Sequence, residues 1–507
     1  METVERSSRF FTIILIVSAS SAIYLYALAT AQPKYLHAAL PAFTFQLGCW
    51  ALAWLVLASL TPNGYLRLSD PAVLFLLWLG LYLVYPSIFW LQGDFDQSGS
   101  SLKTSKAVAL VWFHGLFIMG FMAGHLGLRR RWRLVMPPLD LDRLPRGWLL
   151  YFLPFSLLFG EIVIRLAATG NLLPPQTRAD LSLGAWQDIR AAHAHGGLEL
   201  LGQQLFYKVN SYPVIIQGVG AALILVHTLH ANRNLIRNIA ILTAGLLFTL
   251  LFGSGDRSEA MMPYVIALIF ADMVIGPFRY RVLFILFIAT VGVFEFYGAY
   301  RNIRYLPFDQ ALTVAYDDFI RQTVKEYKIS DFSGMFLKEY LGIEIFAQKG
   351  AEGITYLLNS VARMLPQQIL PEKRFMLSTS EALGLAIYGS RAAMQGRGTA
   401  GAMIVDGYRL AGAAGVALLG AMLGALLAAV HNWFTREVRS GFQGPVLMKI
   451  VLVSGLYAWS YIFIRHDLTS IFTTLLWQII LPWFLIFLLV NHNNIWRSPL
   501  PAVQAAK

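Results

Sequence analysis

Residues 10–30 read FFTIILIVSASSAIYLYALAT, a stretch without a single charge. About 20 helical residues, rising ~1.5 Å each, cross the ~30 Å of hydrocarbon in a bilayer. Arg6 and Arg9 precede the stretch, and Ala27-Leu28-Ala29-Thr30-Ala31 at its end resembles a signal-peptidase site. The apolar run is longer than a typical signal core, so it reads as a retained first helix. Working outward, runs of the same kind recur at 38–60, 72–92, 106–126, 147–168, 207–229, 238–253, 260–276, 282–299, 408–432, 446–465 and 468–490. The chain is thus expected to be an all-α polytopic membrane protein of about 12 spans, one integral domain over residues 1–507. Backbone groups in lipid must be satisfied within a segment, and runs this long and uniformly apolar fit helices rather than barrel strands.

Composition agrees. The 507 residues are 57% hydrophobic and only 13% charged, against about 25% charged in a soluble domain. The net charge of +12 sits in short blocks between apolar runs, which fits the positive-inside bias better than nucleic-acid binding. Arg129, Arg130, Arg131, Arg133, Arg143 and Arg146 mark one loop as cytoplasmic. Arg233 and Arg237, Arg279 and Arg281, then Arg436 and Arg439 mark three more, each two spans further on. One topology satisfies every block, with both termini inside a plasma membrane. Cys49 is the only cysteine, which excludes an intramolecular disulfide or a cysteine-cluster metal site.

That topology puts three segments on the far side: Gly93–Lys106, Gly170–Lys208 and a large loop over 299–404, between spans 9 and 10. Loops of such length are functional or separately folded. Leu312, Ala315, Phe319, Ile320 and Val324 recur at helical spacing, as do Leu357, Leu358, Val361, Met364 and Leu365. Small helices on the membrane surface, or over a cavity between spans, are expected there, the second ended by Pro366 and Pro371.

Several residues suit chemistry. The link Gly253-Ser254-Gly255-Asp256-Arg257-Ser258-Glu259 has freely rotating glycines, a capping-box spacing from Asp256 to Glu259, and an arginine at a helix start. It is either an anion site suited to phosphate or a tight capped hairpin. Arg301 and Arg304 follow the ninth span between Tyr300 and Tyr305, where they could equally contact lipid headgroups. The end of the large loop is basic: Arg363, Lys373, Arg374, Arg391 and Arg397 face only Glu372 and Glu381. Glycines around Arg391 and Arg397 give amides and guanidiniums that could close on a phosphate pair, or simply a solvated face. Asp406 and Arg409 stand where the loop re-enters the membrane; they could pair locally, or Asp406 could be a base at the mouth of a site. Glu161 and Arg165 read as a structural pair, His193 and His195 with Glu199 as a weak metal signal, and His114 and His125 as packing or interface histidines. Gly412, Gly415, Gly420 and Gly424 among alanines fit close helix packing. There is no P-loop or zinc-protease motif.

Residues 250–430 resemble the O-antigen polymerase (Wzy-type), or oligosaccharide repeat-unit polymerase, family of bacterial inner membranes. The resemblance lies in the Gly253–Arg257 link, the arginines after the ninth span and the layout of the large outer loop. Leu365-Pro366 through Leu370-Pro371-Glu372-Lys373, and the glycine-rich re-entry from Gly396 through Asp406-Gly407-Tyr408 to Gly415, add to it. The family's arginine-to-glycine spacing in outer loops is not clearly reproduced here. The resemblance implies a glycosyltransferase that moves a glycan from polyprenyl diphosphate to another lipid-linked repeat unit on the periplasmic face. It implies no cofactor and no metal, since arginines can neutralise a diphosphate leaving group. On that reading Arg257, Arg301, Arg391 and Arg397 bind diphosphates, with Arg304 and Arg374 behind them; Asp406, Glu259 and His195 are base candidates, in that order. Expected partners are polyprenyl-diphosphate-linked oligosaccharides, membrane lipid, and chain-length regulator and flippase proteins. Two rivals remain: an O-antigen ligase, which would imply a histidine in the large loop that 299–404 lacks, and a lipid-linked oligosaccharide transporter, which would show charged residues deep in several spans.

Overall fold

The computed structural model describes residues 2–60, 66–93, 102–129, 148–159 except 157, 211–231, 235–252, 257–276, 331–363, 378–385, 403–439 and 446–480, with a few single positions besides. Its helices are α1 (Glu2–Thr30), α2 (Pro33–Leu60), α3 (Pro71–Leu79), α4 (Tyr85–Gln92), α5 (Thr104–Leu128), α6 (Ser211–Ala231), α7 (Leu235–Phe252), α8 (Arg257–Val274), α9 (Asp331–Lys349), α10 (Ile354–Ala362), α11 (379–385), α12 (Met403–Arg439), α13 (Val446–Ala458), α14 (Ile462–Arg465) and α15 (Leu468–Thr474). No strand occurs among the described residues. Five stretches there are long and apolar enough to cross a membrane: Phe10–Thr30, Pro33–Leu60, Pro71–Gln92, Thr104–Leu128 and Met403–Arg439. The chain is a helical membrane protein. The expected spans at 238–253 and 260–276 coincide with shorter apolar helices. The run expected at 147–168 opens as a tight 3-10 helix, Trp148–Phe155, and 282–299 lies outside the described residues.

Two compact units emerge. The first comprises residues 1–133, 326–433 and 460–473. Asp70 caps α3 by accepting from the Ala72 amide (3.1 Å), with Pro71 at the first helical position, where its missing N–H costs nothing. Between α3 and α4 the helix widens into a π turn, Gly80–Val84. Irregular backbone in a span must find partners. Trp50 lies against Gly80 and donates to the Leu76 carbonyl (2.9 Å), and Gln46 donates to that of Leu83 (2.9 Å). Gly93, with φ +81, closes α4 in the left-handed cap that glycine adopts without strain.

α5 and α12 meet almost backbone to backbone. Side chains at Gly120 and Gly124 would overlap the carbonyls of Ala417 and Ala421, and at Gly420 and Gly424 those of Phe117 and Phe121. Both helices therefore present small residues four apart, reciprocally, the packing the glycines of α12 led us to expect. α12 is broken at Ala411 (φ −159, ψ 38) and Gly412 (φ 60, ψ −141). Residues 403–410 form a separate short helix folded against the next, so close that any side chain at Gly407 would meet the Val416 backbone.

The large-loop segment behaves differently from a surface coil. α9 buries Met335, Phe336, Glu339, Tyr340, Ile343 and Phe346 within this unit, although Asp331, Lys338, Glu339, Glu344 and Lys349 make it too polar to read as a span. α10 buries Tyr356 and Ser360 while Ile354, Leu358 and Val361 point outward. Its apolar stripe thus faces away from the protein, as an interfacial helix requires. The helix ends at Ala362, before Pro366, with Arg363 as its cap.

The second unit comprises residues 134–325, 434–459 and 474–507. There Leu150, Leu223 and Ile224 form a core with Tyr151, Leu153, Val219, Ile241 and Leu242 around it. Gln217 and Asn238 donate to the hydroxyls of Tyr264 (3.4 Å) and Thr228 (2.8 Å), which gives each amide nitrogen a partner among apolar helices.

Candidate functional site

The chemistry-bearing cluster of the first unit forms where α9, α10, α11, the short helix 403–410 and α15 come together. Local sequence sets two of its pieces. Ser378 and Glu381 make a reciprocal capping box on α11: the Glu381 amide donates to Ser378 Oγ (3.2 Å), and the Ser378 amide to Glu381 Oε2 (3.0 Å). Glu381 also holds Arg363 through Oε1 (2.6 Å). Asp467 caps α15 by accepting from the Ser470 amide (2.8 Å), and its other oxygen accepts from the Ser380 amide at the start of α11 (2.8 Å). One carboxylate thereby fixes two helix N-termini side by side.

Asp406 completes the junction. It is fully buried, and its Oδ2 accepts from the Leu468 amide (2.5 Å). Oδ1 accepts from the hydroxyls of Tyr356 (2.5 Å) and Thr379. Arg409, one turn along, does not pair with Asp406. Its Nη1 donates to Thr379 Oγ1 (2.9 Å), while Nε and Nη2 form a fork on Glu352 at 3.0, 2.8 and 2.8 Å. The guanidinium lies over the rings of Phe346 (4.2 Å) and Tyr356 (3.9 Å), a planar environment that suits arginine and not lysine. The Glu352 amide also donates to the Arg409 carbonyl (2.7 Å). A continuous chain of polar groups therefore runs from buried Asp406 through Thr379 and Arg409 to Glu352, whose side chain is 32% exposed.

Electrostatics follow the geometry. Burial, then the carboxylates of Asp406 and Asp467, push the Tyr356 phenol well above its usual range, so it stays a donor. Burial would raise Asp467, but the Ser470 hydroxyl and the Ser380 and Ser470 amides outweigh it and hold the carboxyl below its ordinary value. No group of three His, Cys, Asp or Glu among the described residues is placed to hold a metal.

No family model, curated protein or solved structure matches the chain.

Of the residues singled out in the sequence, Asp406 is the base candidate whose side chain is described. Arg257 opens α8, as a helix start immediately after the glycine-rich link requires, but its side chain and that of Glu259 lie outside the described residues. So do Arg301, Arg304, Arg374, Arg391, Arg397 and His195, along with Glu161, Arg165, His193 and Glu199. The structure brings to Asp406 residues that the sequence did not flag: Glu352, Tyr356, Thr379 and Asp467. The Ser378-Thr379-Ser380-Glu381 capping box was visible in the sequence and would have placed Thr379 at a helix start. His114 is more than packing, since its Nε2 lies 2.7 Å from Glu339 Oε2 with both side chains fully buried.

Proposed function

We propose that this chain is a bacterial inner-membrane polysaccharide polymerase, transferring a glycan from polyprenyl diphosphate to another lipid-linked repeat unit on the periplasmic face. The observation that carries the reading is Asp406 and Arg409 on a short helix heading an apolar span, tied into α9 and α10 of the large loop. A buried carboxylate and guanidinium cost too much in such a place to serve as filler. The helical segments of that loop pack into the unit as the floor of a site would, and they come from the part of the chain that carries the family resemblance.

In the reaction, an acceptor hydroxyl loses its proton and its oxygen attacks the anomeric carbon. The bond from that carbon to the diphosphate oxygen breaks, and the diphosphate leaves with the electron pair. Arg257, Arg301, Arg391 and Arg397, supported by Arg304 and Arg374, neutralise the charge that develops there. Asp406 is enclosed by three donors, so the proton reaches it through the hydroxyl of Thr379 or Tyr356; Glu259 and His195 are the other base candidates.

One observation favours a second reading. The His114–Glu339 pair is an ionisable pair deep among apolar helices, the mark of a transporter for lipid-linked oligosaccharide. Deleting the gene separates the two. A polymerase leaves surface glycan of single repeat units, whereas a transporter leaves none. Complementation with Arg257→Ala or Arg391→Ala should keep the short-chain defect with normal protein in the membrane; long chains restored by those variants would reject the polymerase.

A further inference from the structure

α7 carries a concave apolar face, and its sequence explains the shape. Ala240, Thr243 and Ala244 are small, while Ile236 and Ile239 before them and Phe248 after them are large. They line a groove of about 670 Å³, a volume in the range of small-ligand sites (~300–1,000 Å³). Apart from Thr243 its described lining is hydrocarbon. Ile236 is 85% exposed and Ile239 51%, so the described protein leaves the groove open. From Ile236 to Phe248 the helix rises ~18 Å, against about 15 Å for one leaflet of a ~30 Å hydrocarbon core.

A cation stands at one end of it. Arg237, in the first turn of α7 beside Ile236, donates through Nη2 to the Tyr151 hydroxyl (2.6 Å), and its guanidinium lies 4.8 Å from the centre of that ring. Tyr151 is itself packed against the core of Leu150, Leu223 and Ile224. The charge is thus held in place but not neutralised. α7 and the 3-10 helix Trp148–Phe155 contain no Asp or Glu, and Arg237 has no carboxylate partner among the described residues. Arg129, Arg363 and Lys449, by contrast, are paired with Asp70, Glu381 and Glu437. The residues that precede α7, Asn232-Arg233-Asn234, add a second cation and no acid.

We propose that the groove binds one anionic phospholipid of the bilayer, its acyl chain along Ile236–Phe248 and its phosphate on Arg237. Apolar burial draws in the chain of any lipid. The guanidinium, with N–H donors to spare for phosphate oxygens, selects the headgroup of net negative charge. A second copy of this chain suits the groove less. Both copies insert the same way, so a two-fold pairing through α7 runs the helices parallel. It brings each Arg237 to the depth of the other, with no acid on either α7 to separate them. Nothing in this lipid site depends on the chemistry of Asp406.

The test is photo-crosslinking of the purified full chain in phosphatidylcholine nanodiscs. Each disc preparation carries a trace of a probe lipid with a diazirine in its acyl chain, either phosphatidylglycerol or phosphatidylcholine, and adducts are mapped by peptide mass spectrometry. On residues 235–248 of wild type, the phosphatidylglycerol probe should give about fivefold more adduct, the preference expected of one arginine at a headgroup. The exposed face of α12 at Leu418, Met422 and Leu426 is the internal reference and should show no such preference. Arg237→Gln should bring the ratio on α7 close to one, with adducts on the reference face unchanged. Equal labelling of α7 by both probes in wild type means ordinary lipid contact only and overturns the proposal without any variant. A preference that survives Arg237→Gln, or crosslinks from α7 to a second copy in place of lipid, overturns it as well.

Discussion

Arg409 and Glu352 lie 57 positions apart in the chain and meet through a fork of three contacts at 2.8–3.0 Å, with the guanidinium set over Tyr356 and Phe346. This pair closes the α9–α10 segment onto the helix 403–410. Arg409→Lys keeps the charge but loses the fork and the planar contact. Because Glu352 is partly exposed, the expected loss is modest for a buried pair, about 1–3 kcal/mol. A double-mutant cycle with Glu352→Gln, read by thermal unfolding in detergent, should return a coupling of about 1 kcal/mol or more. Strict additivity would show that the pair holds nothing together.

The Tyr356 hydroxyl is one of three donors on Asp406. Tyr356→Phe leaves the ring under Arg409 and removes one hydrogen bond to a buried carboxylate, for an expected loss of about 1–3 kcal/mol. The phenol is raised well above its ordinary value. An alkaline absorbance titration should therefore show fewer tyrosines ionising in the folded wild type than in the unfolded chain, with Tyr356 among those held back. If Tyr356→Phe removes an early-ionising tyrosine, the phenol is not held as described.

The membrane helices were legible because their signal is local. An uncharged stretch such as 10–30 declares itself wherever it ends up, and so does the run of glycines in α12. α9 was hidden for the opposite reason. Glu339 and Glu344 make its sequence look solvated, and partners far along the chain, His114 and Lys106, take up those two carboxylates. The same holds for Arg409, whose neighbour in sequence, Asp406, suggested a local pair, while the structure turns its guanidinium to Glu352 and links it to Asp406 through the Thr379 hydroxyl alone. Short-range spacing cannot reveal which of several carboxylates a guanidinium will choose. Tertiary packing makes that choice.

Asp70 offers a pH test outside the spans. Burial would raise its pKa, but Arg129 (2.6 Å away), then His431, His125 and the Ala72 amide, bring it below the ordinary carboxylate value. A depressed folded-state pKa means the unfolded chain binds the proton more readily, so the stabilisation is present above about pH 4. It is lost as pH falls through the folded-state value. Asp70→Asn can still cap α3 but cannot pair with Arg129. Its unfolding midpoint should lie below wild type at neutral pH, and the gap should close on acidification below about pH 4. A gap that widened in acid would reject the ion pair.

The α5–α12 crossing predicts opposite outcomes for two glycines three residues apart. A side chain at Gly124 would overlap the Ala421 backbone, whereas Gly127 has nothing within 4 Å. In hydrocarbon no hydrophobic drive holds helices together, so close van der Waals contact must do so. Gly124→Leu forces the backbones apart and exceeds the usual overpacking cost of about 1–3 kcal/mol. Gly127→Leu adds only a lipid-facing side chain and a better helix former, for a change of about 0.5 kcal/mol or a slight gain. Thermal unfolding of both variants in the same detergent measures the contrast, and Gly127→Leu guards against a general intolerance of bulk in α5. Equal destabilisation by the two would mean the helices do not cross at Gly124, and with that the placement of residues 403–433 against α5 would fail.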